Sequence, residues 1–415
     1  MKNVFIITTF KIYEGNSAGS ARLMNIARAV AGSENKVFLC SAVLSESINL
    51  ETISEVSNNI FLVGKERKNV NPLFQKNKKR FLNIFVIYGF LKNIYKLIKQ
   101  SESESAIYYY PDTEFSMDVL VLLYLKFIRR QRIFVDINEL RSTMLSNLRY
   151  SRNIIKKVYQ SISYSTYYFK YKVGEIMMKY FDGLVVISTN LEKYFSAYNK
   201  NLLRIPILSN CSDVIGYAPK AFTDGRFQIG FTGQLATKKE GFENFYKSLS
   251  VVKSRFADFQ LNLYGPIYEP FEKELLLTIL PQKYNLDGNI VYHGNVEQKY
   301  IMDVLRNQHL LVLPRPWNPQ THYGFSTKLS EYLISGIPVL MTDVSDNSLY
   351  IKDRESGFII KPGDPDGLAV QILYIINNYN AIATKISENA FETARKYFHY
   401  ENYRPALMKF LFSGV

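Results

Sequence analysis

The 415-residue chain has only two cysteines, Cys40 and Cys211. Two are too few for a disulfide framework and fit a reducing compartment, so a cytoplasmic protein is expected. Histidine is also scarce. His293, His309, His322 and His399 are the four, none lies within residues 1–210, and their scatter lacks the spacing of a metal-ligand set. No apolar run approaches the ~20 residues of a membrane-spanning helix. The longest, residues 81–91, is interrupted by Asn83 and Gly89. The opening MKNVFIITTF carries one lysine, a short apolar run and no small-residue cleavage site, so it reads as a first strand. Gly-x-Gly-x-x-Gly is missing from the first strand-to-helix turn, and a nicotinamide site is not indicated. Acidic charge is sparse in one half only. Residues 1–210 hold 30 Lys and Arg against 16 Asp and Glu, whereas residues 211–415 hold 21 of each. The net charge of +14 thus lies wholly in the first half, which suggests that this half meets an anionic partner.

What is present reads as a soluble α/β chain with 47% hydrophobic and 21% charged residues, long enough for two domains with full cores. Val4-Phe5-Ile6-Ile7 predicts a buried strand. A loop with Gly15 and Gly19 follows, then Arg22, Leu23, Ile26, Ala27 and Val30 at helical spacing, then a strand at 37–40. This is a Rossmann-like opening. Strands are predicted at 106–110, 132–135 and 182–188. Their polar ends include Pro111-Asp112-Thr113-Glu114 and Asp136-Ile137-Asn138-Glu139.

The most informative stretch runs from Leu310 to Thr342. Leu310–Leu313 predicts a buried parallel strand, and a loop with Pro314, Arg315, Pro316, Pro319 and Gly324 leads to a helix starting near Ser326-Thr327. Leu329, Tyr332 and Leu333 keep helical spacing until Gly336 and Pro338 stop it, and a strand follows at 339–341. A loop at a strand's carboxyl end that opens into a helix amino terminus favours an anion.

This stretch resembles the donor-binding segment of retaining GT-B glycosyltransferases of family 4. That family often carries Glu-Gly-Phe-Gly, four residues, Glu, and later Gly-x-Pro-Val. Gly324, Phe325, Glu331, Gly336, Pro338 and Val339 fit, with Tyr323 in place of the first Glu and Ser326 in place of the second Gly. The form Phe-Pro-Thr-Lys-Leu-x-Glu-Tyr-Leu of its bacterial surface-polysaccharide branch is closer still, through Phe325, Thr327, Lys328, Leu329, Glu331, Tyr332 and Leu333. Upstream, Gly233-Gln234-Leu235 and Lys239 resemble the family's Gly-Arg-Leu, three residues, Lys-Gly; Gly241 falls one place late and Gln234 replaces the Arg. Residues 357–364 resemble Gly-x-Leu-Val-x-Pro-Gly-Asp, and Asp136 to Glu139 resemble Asp-x-His-Glu with Asn138 in the His place.

The resemblance implies an α/β GT-B fold: two Rossmann-like doubly wound domains facing across a cleft, with a C-terminal helix crossing back to the first. The expected boundaries are 1–208 with about 396–415, a linker at 209–225, and 226–395. It also implies a nucleotide diphosphate-sugar substrate, with no cofactor and no metal. Glu331 would hold the donor ribose, and Gly324, Phe325, Ser326, Thr327 and Lys328 would meet its diphosphate and sugar. Gly233, Gln234, Tyr264, Gly265 and Asn295 would border the nucleotide, and Tyr323 would touch the sugar. Lys239 is the family cation, and Arg315 or Lys328 would replace the missing Arg. Gly19, Asp112, Asn138 and Glu139 are candidates for the acceptor, each equally well read as a loop residue.

Two stretches concentrate the basic charge. Residues 65–99 hold ten basic residues against Glu66, and residues 149–181 set Arg149, Arg152, Lys156, Lys157, Lys170, Lys172 and Lys179 against Glu175. Aromatic residues crowd both. Such helices suit an anionic membrane surface, or are solvated faces; no nucleic-acid motif accompanies them. The expected protein is therefore a peripheral, inner-face glycosyltransferase acting on a glycan or polyprenyl-diphosphate-linked acceptor for capsule or lipopolysaccharide. A nucleotide-sugar epimerase of the same fold and a non-catalytic nucleotide- or glycan-binding module are the rival readings.

Overall fold

The computed structural model describes residues 2–8, 12, 18–41, 53–64, 79–111, 117–144, 154–211 and 219–413. Two compact units divide the chain, Met1–Leu208 with Tyr400–Val415, and Ser209–His399.

The first unit opens with β1 (Lys2–Thr8), α1 (Ala18–Val30) and β2 (Asn35–Ser41). A hairpin of β3 (Ile53–Ser57) and β4 (Ile60–Val63) leads to α2 (Lys79–Gln100), β5 (Glu104–Tyr110) and α3 (Met117–Phe127). Then come β6 (Ile133–Ile137), α4 (Arg141–Met144), α5 (Ile154–Met177), β7 (Gly183–Val186), α6 (Thr189–Phe195) and β8 (Leu202–Arg204). One sheet orders these strands β3-β4-β2-β1-β5-β6-β7-β8, and only β3 pairs antiparallel. The continuous apolar runs of β1 and β5 are those of strands covered on both faces.

The second unit has β9 (Phe227–Thr232), α7 (Thr237–Glu240), α8 (Phe242–Arg255), β10 (Phe259–Tyr264), α9 (Pro270–Glu274), α10 (Leu280–Lys283) and β11 (Ile290–Gly294). After these come α11 (Ile301–Arg306), β12 (Leu310–Leu313), α12 (Pro319–Tyr323), α13 (Thr327–Ser335), β13 (Val339–Thr342), α14 (Asn347–Tyr350), β14 (Phe358–Ile360) and α15 (Pro365–Phe398). Its parallel sheet runs β11-β10-β9-β12-β13-β14. The order reverses beside β9, and ligands of doubly wound sheets bind at that switch point, outside the carboxyl ends. Last, α16 (Arg404–Phe412) packs on the first unit, where Leu407 and Leu411 join Leu23, Ile26 and Val30 in its core.

Three expectations change. The loop read from Asp136 starts instead at Asn138, because Asp136 is fully buried inside β6. Arg22 of α1, 1% exposed, reaches it with Nε at 2.9 and 3.1 Å. Arg22 also donates to the carbonyls of Ile205 and Pro206, and the Tyr108 hydroxyl donates to Asp136. A buried charge is tolerable only when paired in this way. Residues 209–211 and 219–225, expected as linker, belong to the second unit: Ser209 N donates to Phe398 O at 2.8 Å, and Phe222 exchanges two hydrogen bonds with the Asn380 side chain. The chain's return to the first unit begins at Tyr400 rather than near 396, because α15 holds no glycine or proline after Gly367 to end it sooner.

Candidate active site

The carboxyl ends of β9, β10 and β11 are laced together by backbone. Gly233 N donates to Tyr264 O at 2.8 Å, and Gly265 N to Gly294 O at 2.7 Å. Gly265 has φ +132°, and a Cβ there would sit 2.1 Å from the Gly233 carbonyl oxygen, so two loops touch that no larger residue would allow. α13 is fastened to the same place. Thr232 N donates to the Tyr332 hydroxyl at 2.8 Å, and the Lys328 side chain passes so close to Gly233 that a Cβ there would meet Lys328 Cε at 2.3 Å.

Glu240, the last residue of α7, lies at the centre of the charged groups. Its carboxylate is 2% exposed. It accepts from Arg315 Nε at 2.9 Å and Nη2 at 3.0 Å, and from Lys328 Nζ at 3.0 Å. The Lys328 ammonium also lies 4.8 Å from the centre of the Phe231 ring. Burial alone would raise the Glu240 carboxyl, but the charges of Arg315 and Lys328 hold it well below the usual carboxylate range. Burial pulls Lys328 down to about 8; attraction to Glu240 resists this, and Arg315 and Lys239 push the same way as burial. Arg315 and Lys328, expected as replacements for the missing cation, are therefore both tied to an acid that the motif reading passed over. The available signal was an acid beside Lys238-Lys239 and before Gly241. Gly241 caps α7 at φ +78°, so the residue directly before this glycine is Glu240, and Lys239 lies one place earlier. Lys239 is half-exposed and makes no hydrogen bond or ion pair among the described residues. Gln234 is exposed.

Glu331 sits one turn into α13, and burial raises its carboxyl, an effect opposed by Gln298 and Lys328. Gln298 Nε2, in the turn after β11, donates to Glu331 Oε1 at 3.4 Å. Glu331 thus faces the turn after β11; Asn295, at the start of that turn, is exposed, and Tyr264 stacks on His293 with ring centres 4.4 Å apart. Ser326 is the N-cap of α13, and its Oγ is buried without a partner among the described residues. Phe325 is a core anchor against Tyr350 and Phe398, so only its backbone is available to a ligand. Thr327 and Gly324 are half-exposed. Tyr323 ends α12, edge-on to His322 at 4.9 Å. α12 itself was not expected; Asn318 and Thr321 form a capping box at its start.

In the first unit, Asn138 and Glu139 line a small, partly open pocket with Pro111, Arg141, Glu175 and Phe195. Asn138 Nδ2 donates to the Tyr110 hydroxyl. Gly19 lies in the first turn of α1, and Asp112 falls outside the described residues.

Two doubly wound units, the second with its converging loops at a switch point, define the GT-B glycosyltransferase fold. Solved structures agree. The chain superposes on the sucrose-phosphate synthase of Thermosynechococcus elongatus at TM-score 0.67 and 15% identity, covering 99% of this chain and 98% of that one. Against Anabaena HepE in complex with UDP the TM-score is 0.64 at 14% identity, and against the lipopolysaccharide outer core galactosyltransferase WaaB 0.62 at 15%, each covering 100% of both chains. Residues 226–378, within the second unit, match the family model described as glycosyl transferases group 1. A 2-deoxystreptamine N-acetyl-D-glucosaminyltransferase of Niallia circulans is 23% identical over 202 residues, 45% of this chain and 49% of that protein. The alignment thus spans about half the length of this curated relative.

Proposed function

We propose that the protein is a retaining glycosyltransferase that moves a sugar from a nucleotide diphosphate donor to a hydroxyl of a lipid-linked glycan in bacterial surface-polysaccharide synthesis. The observation that carries this reading is the convergence, at the β9–β12 switch point, of Lys239, the Arg315–Glu240–Lys328 cluster and the start of α13, with Glu331 facing the turn after β11. A departing diphosphate needs fixed positive charge and amide dipoles, worth most where water is excluded. Lys239, Lys328, Arg315 and the Gly324–Thr327 amides supply them without a bound metal. Glu331 accepts from the ribose hydroxyls, and Tyr323 faces the sugar. The departing phosphate oxygen takes the acceptor's proton on the same face. HepE, similar in fold, was solved with UDP, which agrees with a donor of this class.

Thermal unfolding with a panel of nucleotide sugars tests the donor. One of them at a hundred times its Kd should stabilise the fold by about 2.7 kcal/mol. No shift with any member would sink the reading. Slow donor hydrolysis without acceptor would then separate an enzyme from a binding module.

The acceptor's location is read from α5. Ile154, Val158 and Ile162 stand one turn apart and exposed, and Ile154, Tyr159 and Phe169 are 78%, 75% and 71% exposed. Lys156 and Lys157 stand exposed among them. An apolar stripe edged by lysine suits the surface of an anionic bilayer. Among the described residues no helix is long and apolar enough to cross one. Burying three such side chains contributes about 1.5–3 kcal/mol each. The triple variant Ile154→Ser, Val158→Ser, Ile162→Ser should therefore lose at least tenfold in co-sedimentation with phosphatidylglycerol vesicles. Equal sedimentation of variant and parent would remove the membrane from this account.

A further inference from the structure

We infer that Glu240 is the positioning residue of the donor site: its carboxylate gathers Arg315 and Lys328 into one cation pair that receives the diphosphate. The inference rests on the donor reading above. Three separated pieces of chain meet at this carboxylate, namely the end of α7, the loop after β12 and the second residue of α13. Oε2 takes Arg315 Nε, and Oε1 takes both Arg315 Nη2 and Lys328 Nζ. The guanidinium is thereby held in a bidentate fork, which fixes its plane as a single contact would not. The cluster keeps one net positive charge, with Lys239 half-exposed next to it in sequence.

Its place in the fold separates this from an ordinary structural ion pair. Lys328 reaches Glu240 only by running against Gly233, the first residue beyond β9, through space that a Cβ would fill. The cluster therefore stands where β9 and β12 part. Without the carboxylate, the buried Lys328 ammonium would lose the ion pair that offsets its burial while still feeling the charge of Arg315. Lys328 would then discharge or swing away, and the loop bearing Arg315 would lose its hold on α7. The charged groups that bear on Lys328 are Glu240 and Lys239 from α7, Arg315 from the β12 loop and Glu331 from α13.

The test is UDP binding to the full chain, by calorimetry, at several pH values between 7.5 and 9.5. In the parent, affinity should fall as pH rises through about 8, where Lys328 gives up its proton and one cation is lost. Glu240→Gln should bind UDP at least tenfold more weakly at pH 7.5. Its fall should begin at lower pH, because an ammonium without its counter-ion deprotonates sooner. Glu240→Asp should recover part of both. If Glu240→Gln does not fold, Lys328→Met takes its place and should abolish the pH-dependent limb. An unchanged affinity and midpoint in Glu240→Gln, or a limb that survives Lys328→Met, would overturn the inference. A parent chain that binds neither UDP nor GDP nor ADP is a different result, and overturns the donor reading itself.

Discussion

Glu331→Ala is expected to lower turnover more than tenfold in a chain that still folds. The carboxylate projects from the middle of α13 toward Gln298 in the turn after β11, and Glu331 is not one of the apolar core residues, so the fold should survive its loss. On the proposed reading the substitution removes the carboxylate that accepts from the donor ribose. A hydrogen bond to a charged group contributes about 1.5–3 kcal/mol, and each ~1.4 kcal/mol is a factor of ten in rate. Glu331→Gln, which keeps one acceptor oxygen, should lose less. Lys239→Ala should lower turnover by a similar factor, because on the proposed reading this ammonium, which has no protein partner among the described residues, meets the leaving group. Steady-state kinetics with the donor found by thermal shift decide the matter. Parent-like rates in either alanine variant would refute that residue's role.

Gly241→Ala is expected to damage the fold and the site together. Gly241 has φ +78°, and a Cβ there would lie 2.1 Å from the Pro314 carbonyl oxygen and 3.1 Å from Pro316 Cδ. The left-handed conformation costs a larger residue about 1–2 kcal/mol, and overpacking adds about 1–3 kcal/mol. For a unit of this size the melting temperature should fall on the order of 10 °C. The contact also brings the α7 corner against the loop that carries Arg315, so UDP affinity should fall with stability. Gly288→Ala is the control: its φ is +79°, but nothing lies within 4 Å of its Cβ position, so only the backbone cost applies. Equal destabilisation of the two variants would show that the close contact with Pro314 is unimportant.

Much of the second unit was legible in advance. Residues 310–313 and 339–342 form strands as the apolar runs predicted, and α13 starts at Thr327 and stops at Gly336. These are local effects: continuous apolar runs make buried parallel strands, and Gly336 at φ +74° ends a helix wherever it stands. α15 was harder to read. The polar run Asn377-Asn378-Tyr379-Asn380 interrupts its apolar periodicity, and packing onto α8 keeps it one helix.

By itself the sequence determined two α/β halves, a surplus of positive charge confined to the first, and the strand–loop–helix passage into α13. These follow from residue types and their spacing, which act over one or two turns of chain. Only the tertiary structure decided that Arg22 is the counter-ion of Asp136 and that Glu240 binds Arg315 and Lys328 together. Each of these pairs spans 75 or more residues. A charge far along the chain leaves no periodic trace, and only when burial strips away water does its partner become obligatory.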